Sequence, residues 1–192
     1  QKIIKEKLQD EAKQYFSTLG LKKTTIKDLT ESVGIAKGSF YSFFDSKERL
    51  YFEVLEQEAE RLRKKFKNKI LDSSDSTEEA LKKFLKMMLE TMESNQLISR
   101  LYDTEDLDLV QKKINKEQLK EHKQLSVNNF LPIIESWREQ GELIDEKAEV
   151  ILGVIRAIPL ISFHQKELGE NIYPQIIDLI IDLVAQGLVE SK

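Results

Sequence analysis

TTIKDLTESVGIAKGSFYSFFDSK, residues 24–47, is the stretch that decides the fold. Thr24 and Thr25 offer hydroxyl caps to a short helix whose apolar residues Ile26, Leu29 and Val33 recur at three- and four-residue steps. Gly34 ends that helix where a sharp turn is needed. A second helix is predicted over about Lys37 to Phe44, opening on the small or basic Lys37, Gly38 and Ser39 and held down by Phe40, Phe43 and Phe44. Two helices joined by a short Gly-containing turn form a helix-turn-helix, whose second helix lies in the DNA major groove.

The flanks extend the pattern. Ala12, Phe16 and Gly20 precede it in EAKQYFSTLGLKKTT, and FYSFFDSKERL follows it with Lys47 and Leu50. The ordered string over Ala12 to Leu50 resembles the TetR family of bacterial transcription regulators. That family's N-terminal signature runs Ala, aromatic, Gly, a Thr pair, a Gly turn, a Lys-Gly-Ser-type segment, then Tyr and Phe before a Lys-acid pair. Leu29-Thr30 and Val33 stand where the family usually has Ile-Ala and Ala, which keeps the interior apolar but changes its volumes.

With 192 residues, 40% of them hydrophobic, the chain can build one compact unit and a small appended one. It has no cysteine, which excludes disulfides and thiolate metal sites. The sequence suggests no apolar run near the roughly 18 residues that span a bilayer, and no signal-peptide pattern opens the chain, so a cytoplasmic protein without a membrane partner is expected. It starts at Gln1 rather than Met, so N-terminal residues are expected to be missing. Through Leu50 there are ten Lys/Arg against seven Asp/Glu, a surplus of three that leaves −7 for the rest of a chain whose net charge is −4. A basic head on an acidic body directs a polyanion to one end.

Helical periodicity dominates, and an all-α fold of about nine helices is expected: a three-helix DNA-binding head, residues 1–46, and a larger helical effector-binding and dimerisation domain, residues 47–192. A first helix carries Ile3, Ile4, Leu8, Ala12, Tyr15, Phe16 and Leu19. Asp45 or Ser46 caps a long fourth helix to about Leu71, with Glu48 placed for a capping box, and Ser76 with Glu79 forms another after the DSSDSTEE loop. Asp72, Ser74 and Ser76 lack the central Gly and terminal Glu of a calcium loop. A break is expected near Thr104, then a helix from about Lys116 to Gln140 bent at Pro132, then helices over 146–167 and 174–189 separated by Gly169.

The last two helices are apolar around most of their circumference, which predicts burial on more than one side. Ile151, Val154, Ile155, Ile158, Ile177, Ile180, Ile181 and Val184 are therefore expected at a two-fold homodimer interface. A homodimer would present two heads to a palindromic operator, with half-sites about 34 Å apart or somewhat more. Thr25, Ala36, Lys37, Gly38, Ser39, Tyr41, Ser42 and Lys47 are the expected DNA contacts, with Tyr41 a phosphate ligand by resemblance and Lys22 and Lys23 as auxiliaries. The resemblance also implies an effector cavity in the body for a small molecule of unknown identity. Phe66, Phe84, Met87, Met88, Tyr102, Phe130, Trp137, Phe163 and His164 are its candidate walls, although Met and aromatic residues at helical spacing serve a plain core equally well. His122 and His164 lie too far apart to form a metal set, and no cofactor, metal or catalytic residue is expected. The expected function is a ligand-released repressor. The alternatives are an activator of the same design and a helical interaction protein with a vestigial head.

Overall fold

The computed structural model describes residues 1–71, 75–100, 104–114 and 130–190. Tyr102, His122, the calcium-loop positions Asp72 and Ser74, and the helix expected between Lys116 and residue 129 lie outside the described residues. Those described are helical apart from loops and one isolated β-bridge, Leu143 with Val189. The chain divides into two compact units, Gln1–Leu62 with Asn95–Lys123, and Arg63–Ser94 with Gln124–Lys192.

The first unit holds α1 (Lys2–Lys23), α2 (Ile26–Ser32), α3 (Lys37–Phe40), the start of α4 (Lys47–Leu71), α6 (Gln96–Ser99) and α7 (Thr104–Lys113). α1 breaks at Gly20, whose φ of 79° and ψ of 171° are conformations that a side chain disfavours. A Cβ there would also meet Arg100 Nη1 at 2.7 Å. Leu8, Phe16, Leu29, Phe40 and Tyr51 form the centre of the core, and Leu97, Val110 and Ile114 join it from much later in the sequence. Phe16 meets Tyr51 edge-on, with ring centroids 4.9 Å apart.

Glu58, 3% exposed, ties this unit together. It accepts from Lys13 Nζ at 2.6 Å, from Arg61 Nε and Nη2 at 2.9 and 2.7 Å, and from Asn95 Nδ2 at 2.7 Å. Asn95 in turn caps α6 by accepting from Ile98 N–H. Hydrogen bonds from Arg61 first, then Lys13 and Asn95, outweigh burial and hold the Glu58 carboxyl down to about 2, against an ordinary 4.5. A carboxyl whose folded pKa is depressed adds stability above its unfolded value and loses it as the pH falls. Glu58 should therefore contribute roughly 1–2 kcal/mol at neutral pH, after screening of its exposed partners, and lose it between about pH 4.5 and pH 2. Acid titration of urea stability for the chain and for Glu58→Gln checks this: the variant should be less stable at pH 7, and the two curves should converge toward pH 2. Parallel curves would refute the assignment.

The second unit holds the end of α4, α5 (Thr77–Ser94), α8 (Leu131–Glu139), α9 (Ala148–Ala157), a 3-10 helix (Ile158–His164), α10 (Gln165–Leu168) and α11 (Tyr173–Leu188). α5 packs against α11 and the 3-10 segment, and α8 against α9. Lys82 bridges Glu78 and Asp182 at 2.8 and 3.2 Å. Tyr173 donates to Glu93 Oε1 at 3.2 Å, and burial followed by that carboxylate pushes its phenol up to about 12.

Several expectations about elements need correction. α3 stops at Phe40 rather than Phe44, and the chain continues through i→i+3 turns from Ser39 and Phe40. Ser46 does cap α4, accepting from Arg49 N–H at 3.1 Å. That makes Arg49 rather than Glu48 the third helical residue, so no capping box forms there. Pro132 does not bend a helix interior; it occupies the first turn of α8, where its missing N–H costs nothing. The helix expected over 146–167 is interrupted because Pro159 removes a ladder donor, and the α-helix gives way to a 3-10 turn after Ala157. Ala148–Leu168 also passes a length-and-composition test for a membrane span, with mean hydropathy 1.3, contrary to the sequence expectation. Ile151, Leu152, Ile155 and Ile158 within it are buried, while Val150, Val154, Leu160, Phe163 and Leu168 are exposed.

Candidate nucleic-acid interface

Local chemistry sets the motif's geometry. Thr25 Oγ1 accepts from Asp28 N–H at 3.1 Å, while the Asp28 carboxylate accepts from Thr25 N–H at 2.9 Å, completing a capping box that fixes the start of α2. The Thr25 hydroxyl also donates to Asp28 at 2.7 Å, and with the backbone bond this holds the Asp28 carboxyl below its ordinary value. The Thr25 hydroxyl thus accepts the capping bond through its oxygen and gives its proton to the Asp28 carboxylate. Gly34 turns the chain with a φ of 72°, and Ile35 N–H closes the turn on Thr30 O at 2.9 Å. Behind α3, Phe40 and Phe44 are buried, with ring centroids 5.8 Å apart.

This backing presents one surface. Ala36, Lys37, Gly38 and Ser42 are exposed, Ser39 is half-buried, and Tyr41 is 55% exposed with its ring set edge-on to Phe40. Gly38 has open space where a Cβ would stand, so α3 can approach a surface closely. Thr25, Tyr41 and Lys47 line one shallow depression of about 360 Å³ with Lys22, Asp45 and Glu48. Hydroxyl, phenol and ammonium groups around such a hollow suit a phosphate oxygen, and the carboxylates of Asp45 and Glu48 oppose it.

Lys47 has a structural task that sequence reasoning missed. Its ammonium donates to Leu21 O and Thr24 O, both at 2.6 Å, and closes the C-terminal end of α1. Burial lowers its pKa, opposed by Glu48, Asp106 and Asp28. Arg100 and Asp106 were not singled out either. Arg100 donates to Ser17 O and Thr18 O at 3.3 and 3.4 Å. Asp106, 4% exposed, accepts from Leu21 N–H at 3.2 Å and Tyr51 OH at 3.4 Å. Nothing local in LISRLYDTEDLD signals these partners.

In the second unit the candidate cavity walls separate. Phe66, Phe84 and Phe130 meet, with successive centroids 6.0 and 5.0 Å apart, and all three are buried. Met87 is buried and Met88 and Trp137 are half-buried. Phe163 and His164 are exposed on the 3-10 segment, with His164 4.0 Å from Glu167. Of the residues expected between two copies, Ile151, Ile155, Ile158, Ile177 and Ile181 fill this unit's own core, while Ile180 and Val184 are half-buried. Val154, also expected there, is exposed, as are Val150, Leu179 and Leu183, which were not expected there.

The family described as bacterial regulatory proteins, tetR family, matches residues 8–54, which include every residue lining the surface just described. The HTH-type transcriptional repressor KstR2 of Mycolicibacterium smegmatis is 35% identical over 113 residues, covering 55% of this chain and 54% of that protein. The chain thus spans about half the length of the curated relative it matches. In fold it is similar to a TetR-family transcriptional regulator from Pectobacterium atrosepticum, with TM-score 0.75, 18% identity and coverage of 97% and 94% of the two chains. It is also similar to the superantigen PfiT, with TM-score 0.74, 15% identity and coverage of 98% and 97%. At such identities the likeness is one of fold, an N-terminal helix-turn-helix followed by a helical body.

Proposed function

Because the chain belongs to the TetR family of bacterial regulatory proteins, we propose that it is a cytoplasmic, sequence-specific transcriptional repressor that binds a palindromic operator as a homodimer and releases it when a small molecule occupies the body. The observation that carries this reading is the single exposed surface of Lys37, Gly38, Tyr41 and Ser42 held on a buried Phe40–Phe44 base. In it, residues 1–46 read DNA and residues 47–192 bind the effector and pair the copies. α3 enters the major groove, Lys37 reaches a guanine edge or a phosphate, and Tyr41 with the α2 start takes a phosphate. Lys47 contributes from a fixed position, since two of its N–H groups already hold α1.

Exposed Val150 and Val154 on α9, and Leu179 and Leu183 on α11, support pairing of two copies through these helices. The effector acts by binding more tightly to a state whose head spacing no longer fits the operator.

Fluorescence anisotropy tests this with duplexes from the promoter adjoining the protein's own gene, against a scrambled duplex, at several salt concentrations. Saturable binding that prefers the promoter is expected, with log affinity falling against log salt by about 0.9 per phosphate contact. Weak, equal binding to every duplex tried would leave an interaction protein with a vestigial head as the better reading.

A further inference from the structure

We propose that the second unit binds an anionic amphiphile, a molecule with an apolar body and a carboxylate or phosphate end, in a depression between α4 and α5. The inference rests on the reading of the body as effector-binding and names the effector's chemistry. The depression measures about 440 Å³, within the range of small-molecule sites. Lys65 and Lys69 reach it from α4, and Lys83 and Lys86 from α5, around an apolar floor that includes Phe84 and Met87. Phe84 in turn meets Phe66 edge-on and Phe130 at a tilt, so the floor is part of a buried aromatic cluster.

The charge pattern argues for an absent anion. Four lysines line one hollow with a single acidic residue, Glu90. Two are countered from outside, Lys83 by Asp75 at 2.7 Å and Lys86 by Asp178 at 3.3 Å. Lys65 and Lys69 form no hydrogen bond or ion pair among the described residues. Like charges at helical i, i+3 and i, i+4 spacing repel, by about 0.2–0.5 kcal/mol per pair. An anion between the two rows relieves that repulsion and accepts charge-assisted hydrogen bonds, while lysine stems and the aromatic floor cover an apolar body. The floor distinguishes this ligand from a nucleic-acid backbone, which has charge but no apolar part to bury.

Calorimetric titration of the full chain, below micelle-forming concentrations, tests the proposal with dodecanoate and dodecyl phosphate, using dodecanol and dodecyltrimethylammonium as controls. At least one anion should bind about tenfold or more tightly than either control, and Lys65→Gln with Lys69→Gln should remove most of that preference while leaving the helical circular dichroism unchanged. Which anion binds better identifies the head group. Equal affinity for anion and alcohol, or undiminished anion affinity in the double variant, would overturn it. Operator binding by the same samples, with and without the tighter anion, is scored separately. Promoter preference absent in both conditions defeats the regulatory reading alone; anion binding without operator release defeats only the effector role.

Discussion

Replacing Lys37 and Tyr41 together by Ala should weaken operator binding by more than about 100-fold, or roughly 2.7 kcal/mol, while leaving the chain folded. Both side chains stand clear of the core, Tyr41 at 55% exposure, so their removal opens no interior cavity. What Tyr41 loses within the chain is its edge contact with Phe40, centroids 5.5 Å apart, worth about 0.5–1.5 kcal/mol at most. At the DNA each group is expected to contribute about 1–3 kcal/mol, and a dimer loses it at two heads. The salt dependence should become shallower by about 0.9 for each phosphate contact removed. Anisotropy with a promoter duplex measures both quantities, and Lys166→Ala, an exposed position on α10, serves as the control. Promoter binding retained within tenfold, with an unchanged salt slope, would sink the assignment of this surface to DNA.

A second large effect is expected inside the first unit. Phe16→Ala should cost about 3–5 kcal/mol, because the ring is fully buried and its loss leaves a cavity beside Tyr51. Neighbours from several elements frame the ring, so the space cannot close by moving one of them. Urea denaturation followed by circular dichroism should show a clearly lower midpoint, since this is a large share of the 5–15 kcal/mol typical of a domain. A loss under about 1 kcal/mol would mean that Phe16 does not occupy the centre of this core. Phe16→Leu, which keeps most of the volume, should recover much of the stability.

What the sequence by itself determined is what its near neighbours in the chain control. The Thr25–Asp28 capping box, the left-handed Gly34, the Ser46 cap and the Phe40–Phe44 backing all act within a few residues, so the pattern of types and spacings already contains them. The interrupted helix at Pro159 belongs with these, since the ring's missing N–H is visible in the sequence even though a continuous helix was expected there. Tertiary structure decided the rest. Leu21 and Asp106 are bonded across 85 positions and Arg100 and Ser17 across 83, and no periodicity encodes which distant segment will supply a partner. Lys47 carries the same composition signal whether it faces a phosphate or two carbonyls, and only the position of the end of α1 chose the carbonyls. In α9 and α11, apolar residues run around most of the helix, so hydrophobicity cannot rank one side above another. Packing within the second unit did so, burying Ile151, Ile155, Ile177 and Ile181 and leaving Val150, Val154, Leu179 and Leu183 outside. Local hydrogen bonds and turns need only the residue types beside them, whereas burial is settled by which surfaces the whole chain brings together.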